Sequence, residues 1–168
     1  MSSRYCEVDS ELRDLAGTLF NSTPRGWPRV QSICNFVYQH VCFDYMQARA
    51  NWTALETFRE RVGVCRDNTH LAITLCRFMN IPARYCTGDI GVPPSSDPMD
   101  FSAWFEVYLG GTWYAFDRRN NVPRIGRVLM ARGRDAADAA LTTTFGVNQL
   151  ESFEVWTDEI SGTTRNSS

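Results

Sequence analysis

The stretch Gly63-Val64-Cys65-Arg66-Asp67 constrains this chain more than any other, because it sets a cysteine on a loop-to-helix junction. Behind it, Ala72, Ile73, Leu75, Cys76 and Met79 recur at helical spacing and Asn80-Ile81-Pro82 ends the run, so a buried helix is predicted to start at Cys65. Ahead of it, Thr53-Ala54-Leu55-Glu56 has the capping-box pattern and opens a short helix that Gly63 is expected to break. A cysteine in a first helical turn meets unbonded backbone N–H groups and the positive end of the helix dipole, which favour a thiolate, and Arg66 adds a neighbouring cation. The same local pattern also fits a structural cysteine filling a tight junction, since buried thiols are common.

A second constellation lies downstream. Residues 103–109 (AWFEVYL) and 112–116 (TWYAF) read as strands joined by Gly110-Gly111, a two-residue hairpin signal. If those glycines form the whole loop, Leu109 faces Thr112 and Trp104 comes opposite Asp117. Alternation then puts Ser102, Trp104 and Asp117 on one face, and Phe105, Val107, Leu109, Tyr114 and Phe116 on the other. Asp117 closes its strand beside a polar neighbour, which suits an active-site wall. Ahead of Arg118-Arg119-Asn120-Asn121 it also suits a turn cap.

Elsewhere, Leu12, Leu15, Ala16, Leu19 and Phe20 mark a first amphipathic helix. Val30, Ile33, Cys34, Val37 and Val41 mark a second, over residues 27–41. A strand is expected at 83–87, a short helix at 135–141 and a last strand at 152–157, with residues 162–168 reading as a frayed tail. A chain of 168 residues with 43% hydrophobic content can bury its own core, and residues 1–168 read as a single domain. The formal net charge of -2, with interspersed signs, gives no reason to expect nucleic-acid or membrane partners. No stretch is long and apolar enough for a membrane span, and the first residues do not read as a signal peptide. The cysteines Cys6, Cys34, Cys42, Cys65, Cys76 and Cys86 lack paired short spacings, so neither zinc nor any other metal or cofactor is expected. They read as reduced thiols of a cytoplasmic protein. Oligomeric state is not legible.

Four stretches in order carry a resemblance: GVCRDNTHLAI, then IPARYCTGDI, then DFSAWFEVYLGGTWYAFDRRNN, and then the run from Gly126 to Asp138. They resemble bacterial members of the transglutaminase-like superfamily, whose pattern reads GVCRDFAHLAI, IPARYVSGY and DFHAWFEVYLGGRWYTFDPRNN. The likeness covers nearly the whole chain. It implies an α+β, papain-like core in which N-terminal helices and a buried helix starting at Cys65 pack on an antiparallel sheet. It also implies a Cys-His-Asp triad, with Cys65 matching the nucleophile and Asp117 the residue that orients the histidine. At the histidine position stands Ser102. Related longer proteins carry an additional N-terminal β domain, so this chain reads as either a minimal form or an excised core.

His40 and His70 are the chain's two histidines. His40, near a helix end, reads as a surface or capping residue. His70 is five residues past Cys65, so it is rotated by about 140° around the helix and should not face the same pocket. Other departures from the family pattern gather near the expected pocket: Met46-Gln47, Asn51-Trp52, Asn68 one turn from Cys65, and a loop after Thr87-Gly88 that looks shortened. They read as remodelling of a substrate pocket shaped by Ser102, Trp104, Trp52 and Asn68; drift in a decaying site is the rival reading.

A serine hydroxyl can hold a water or bond Asp117, but it cannot take and return a proton near neutral pH. General acid–base catalysis is worth about 10²–10⁴-fold, and amine leaving groups need it most. A thiolate leaves unaided, so a nucleophilic Cys65 could still attack thioesters. The expectation is a cysteine-centred enzyme, with Cys65, Asp117 and Ser102 in its site, that acts on a small-molecule or carrier-bound activated acyl substrate by acyl transfer, condensation or cyclisation. It is not expected to be an efficient protease. The alternatives are a non-catalytic binding module on the same scaffold and an amide hydrolase using a displaced histidine.

Overall fold

Where Asp9 stands ahead of a helical run, its carboxylate accepts the N–H groups of Glu11 and Leu12, and α1 (Ser10–Phe20) begins. The computed structural model describes residues 2–49, 51–90, 100–117, 127–140, 146, 147, 149, 151 and 152. Helix α2 (Trp27–His40) opens with proline in its first turn, where the missing N–H costs nothing. A two-residue parallel pairing of β1 (Cys42–Phe43) with β2 (Val62–Gly63) encloses a single 3₁₀ turn at Tyr45–Gln47 and α3 (Ala54–Glu60). Thr53 and Glu56 form the expected capping box of α3.

Helix α4 (Cys65–Phe78) starts where the sequence predicts it. It is the centre of the domain. Leu71, Ala72, Ile73, Leu75 and Cys76 are fully buried, and α1, α2 and α3 cover one side of it. The other side packs on an antiparallel sheet of β3 (Ala83–Ile90), β4 (Asp100–Leu109), β5 (Thr112–Phe116) and β6 (Arg127–Gly133), in the order β5-β4-β3-β6. Ala103, Phe105, Val107, Tyr85 and Phe116 supply the sheet's half of the core. The hairpin register is the one the glycines dictate: Leu109 pairs with Thr112 and Phe105 with Phe116. Gly110 and Gly111 have φ of 57° and 94°, left-handed values that glycine adopts without cost.

Several local expectations fail for identifiable reasons. Helix α3 is ended by Arg61 in the left-handed region, φ 57°, rather than by Gly63. Gly63 lies in β2, and a Cβ there would stand 2.9 Å from the Cβ of Asp67, so its role is close approach to the next helix. Residues 134–139 form turns in place of the short helix expected at 135–141. Asp135 bonds the N–H groups of Tyr5 and Ala137 there, which fixes the chain by tertiary contact. Strand β3 continues through Asp89 and Ile90, where a shortened loop was expected, because both residues find partners on β4 and β6. Strand β6 itself was not anticipated. The last strand, apart from Ser152, and the tail lie outside the described residues.

Candidate active site

The cysteine is placed by its neighbours. Asp67, with its side chain fully buried, turns one oxygen back to the Val64 N–H at 3.0 Å and caps the start of α4. Its other oxygen accepts from Nε and Nη2 of Arg66 at 3.0 and 2.9 Å. Arg66 also donates to the Arg49 carbonyl. Arg66, the neighbour of Cys65 in the chain, thus shares its charge with Asp67. The helix terminus favours a thiolate at this position. Cys65 is half-buried and packs against the core.

Trp52 is buried beneath the Arg49 guanidinium, 5.0 Å from its ring, and the Arg66–Arg49 bond ties this pair to the start of α4. Asn68, one turn beyond Cys65, is 1% exposed, and neither atom of its carboxamide has a hydrogen-bond partner among the described residues.

On the sheet, the pleat separates two sets. Ala103, Phe105 and Val107 face α4, while Trp104 packs with Cys86 and Leu129 on the opposite face. Asp117 belongs to the Trp104 side. Its carboxylate, 1% exposed, meets Arg127 Nη2 at 3.5 Å, and the same guanidinium lies 5.8 Å from the Trp104 ring. Arg127 was present in the sequence as part of a longer likeness but was given no role. It begins β6, two strands from β4, and no spacing along the chain connects it to Asp117. Ser102 is 2% exposed; its carbonyl accepts from Thr87 Oγ1 at 3.2 Å and its own hydroxyl has no hydrogen-bond partner among the described residues, Asp117 included.

Helix α4 runs antiparallel to β3. Arg77, near its C-terminus, donates to the Ala83 carbonyl where β3 begins, and the ring of His70 lies 5.3 Å from that of Tyr85. The Cys65 end therefore points toward the end of the sheet where β4 starts and β5 finishes, the end that carries Ser102 and Asp117.

Both histidines are held by other groups. His70 is fully buried between Tyr5 and Tyr85, and its Nε2 accepts the Ala136 N–H at 3.1 Å. Burial pushes its pKa down to about 3, so the ring is neutral. His40 stacks between Phe36 and Phe58 and its Nε2 lies 2.8 Å from the Phe58 carbonyl, so it serves the last turn of α3 as a cap. Among the other thiols, burial pushes Cys6 up to about 11 and Cys86 up to about 12, and raises Cys76 well above the ordinary value. None of those three supplies a thiolate near neutral pH.

Among the described residues, no group of three His, Cys, Asp or Glu side chains could hold a metal ion, and no helix is long and apolar enough to cross a membrane.

The model of the transglutaminase-like superfamily matches residues 13–118. The chain is similar in structure to a Cytophaga hutchinsonii protein provisionally named a cysteine protease, with 38% identity, a TM-score of 0.79, and coverage of 94% of this chain and 57% of that one. A provisionally named protease from Parabacteroides distasonis shares the fold alone, at 13% identity and a TM-score of 0.52 over 68% of this chain and 24% of that one. A Mycobacterium leprae protein of uncharacterised function is 30% identical over 52% of this chain and 33% of its own length. The chain thus spans about a third of that relative and 57% of the Cytophaga protein.

Proposed function

Because the chain belongs to the transglutaminase-like superfamily, we propose that it is a cysteine-centred enzyme of that family, with Cys65 as nucleophile, acting on activated acyl substrates such as thioesters and not as an efficient protease. The observation that carries this reading is the fate of the two histidines. Each ring is sandwiched by aromatic side chains and its Nε2 is engaged by the backbone, so neither is placed to carry protons to and from Cys65. Without such a group, an amine leaving group loses about 10²–10⁴-fold of assistance, whereas a departing thiolate loses little. Acyl transfer, condensation or ring closure on a small or carrier-bound acyl group fits that chemistry. Asp117, held by Arg127, would orient a polar part of the substrate; Ser102, Trp104, Trp52 and Asn68 would shape the pocket.

Matched thioester and amide donors, offered to native protein, Cys65→Ala and Ser102→His, test the reading. The native protein should turn over the thioester, Cys65→Ala should not, and Ser102→His should raise amide turnover from a very low level. Efficient amide cleavage by the native protein would show that another group supplies the proton. No turnover of either donor, with Cys65 no faster than the other thiols toward iodoacetamide, would leave a binding module on the same scaffold.

A further inference from the structure

The turn between α1 and α2, the end of α4 and the end of β4 enclose a pocket of about 360 Å³. Phe78, the last residue of α4, stands in its wall, so the pocket is about 20 Å from Cys65 along the helix axis. Neither Cys65 nor any residue grouped with it above lines this pocket.

Arg29 lines the pocket and is 8% exposed. Its Nε donates to the Thr23 carbonyl at 3.1 Å and its Nη2 to the carbonyls of Thr23 and Asn21. These bonds fix the guanidinium across the α1–α2 turn, but a carbonyl is a dipole and does not neutralise its charge. The arginines of the sheet are held differently: Arg84 and Arg132 share Glu106, and Arg134 pairs with Asp138. Buried charges are ordinarily paired with an opposite charge, because burial of an isolated one is costly. Arg25, on the surface, adds a second guanidinium to the wall, and no Asp or Glu stands in it among the described residues.

The backbone acts in the same sense. Gly26, also in the wall, is the N-cap of α2 with φ 86°, and no side chain caps that terminus. The first N–H groups of the helix have no acceptor within it, and the positive end of its dipole lies here. Helix α4 ends at the same wall, and its C-terminus works against an anion. Its Leu75, Cys76 and Arg77 carbonyls, however, already accept from the N–H groups of Met79, Ile81 and Asn80.

These donors match a phosphoryl group better than a carboxylate. A phosphate monoester carries a charge of about −1.5 to −2 at pH 7 and three accepting oxygens, enough for two guanidinium groups and a helix N-terminus together. A carboxylate brings a single charge and two oxygens, which one guanidinium already satisfies. The pocket also has room for more than the phosphate, being within the range of about 300–1,000 Å³ usual for small-molecule sites. Ile81, Pro82 and Leu109 give it one apolar side.

We propose that this pocket binds the phosphate monoester of a small organic molecule, at a site that stands whether or not Cys65 is catalytic. The test is isothermal titration calorimetry of the full chain with phenyl phosphate, benzoate and inorganic phosphate. Phenyl phosphate should bind more tightly than the other two, with an affinity that falls as salt rises. Arg25→Gln, a surface change, should weaken it by roughly threefold or more. Arg29→Lys keeps the charge but loses the planar fork, and should weaken it by roughly tenfold or more, with circular dichroism checking that the variant is folded. Cys65→Ala and Arg134→Gln should bind as the native chain does. No binding of phenyl phosphate at low salt, equal or tighter binding of benzoate or inorganic phosphate, or native affinity in Arg25→Gln would each overturn the proposal. So would a loss of binding in Arg134→Gln, which would place the phosphate on the sheet instead.

Discussion

The two ends of α4 handle polar groups in opposite ways. At the Cys65 end, Asp67 is wholly buried and committed to the backbone of Val64, and Asn68 and Ser102 are buried with side-chain polar atoms that have no hydrogen-bond partner among the described residues. At the Arg77 end, Arg77, Arg84, Arg132 and Arg134 are partly exposed and their bonds to carboxylates and carbonyls are made. One end gathers polar side chains in the interior, where each is costly to place. The other displays charge in water, which is cheap and adjustable.

The sharpest way to break this comparison is at Asp67. Asp67→Ala removes the acceptor of the Val64 N–H and the partner of Arg66 together, and should destabilise the fold by about 2–3 kcal/mol, read by urea unfolding. A loss under about 0.5 kcal/mol would mean that the start of α4 is held by packing alone. Gly63→Ala tests the same junction from the other side. Its new Cβ would meet Asp67 at 2.9 Å, and overpacking of this kind costs about 1–3 kcal/mol. An unchanged melting temperature would show that the junction yields easily.

The middle of the helix offers a pH test. His70 is neutral in the fold, with its pKa lowered from 6.5 to about 3 by burial. The unfolded chain therefore binds a proton that the native state refuses. Stability contributed this way is present above pH 6.5 and is lost as pH falls toward 3. Asp135 adds to the loss only at lower pH, since its pKa lies below the ordinary carboxylate value: its own burial opposes the shift, but the bond from the Tyr5 N–H and its other hydrogen bonds outweigh it. Urea unfolding of His70→Gln should show a flatter slope with pH over that window than the native chain, whatever its absolute stability; parallel slopes would refute the assignment. The smallest effect belongs to the far end. Asp138→Asn breaks an exposed pair with Arg134 and should change stability by less than about 1 kcal/mol. A cost comparable to Asp67→Ala would erase the contrast between the two ends.

What the sequence by itself determined were features set by neighbours along the chain. The start of α4 at Cys65 follows from the apolar period behind it and the proline that closes the run. The capping box of Thr53 and Glu56 is local, and so is the hairpin register, since two glycines leave one way to pair Leu109 with Thr112. Once that register is set, the period of two puts Trp104 and Asp117 on the same side. Transglutaminase-like membership was legible for the same reason, as several such local patterns in order. Only the tertiary structure decided which partner each charged or polar group found. Asp117 meets Arg127 because β6 joins the sheet beyond β3, an order that no spacing encodes. Arg66 pairs with the buried carboxylate of Asp67 because that side chain is held in place by the Val64 N–H. His70 became a core residue because Tyr5 and Tyr85, from opposite ends of the fold, close over it. Helix starts and turns are governed by a few adjacent residues, whereas charge pairing and burial depend on which distant segments the packed core brings within reach.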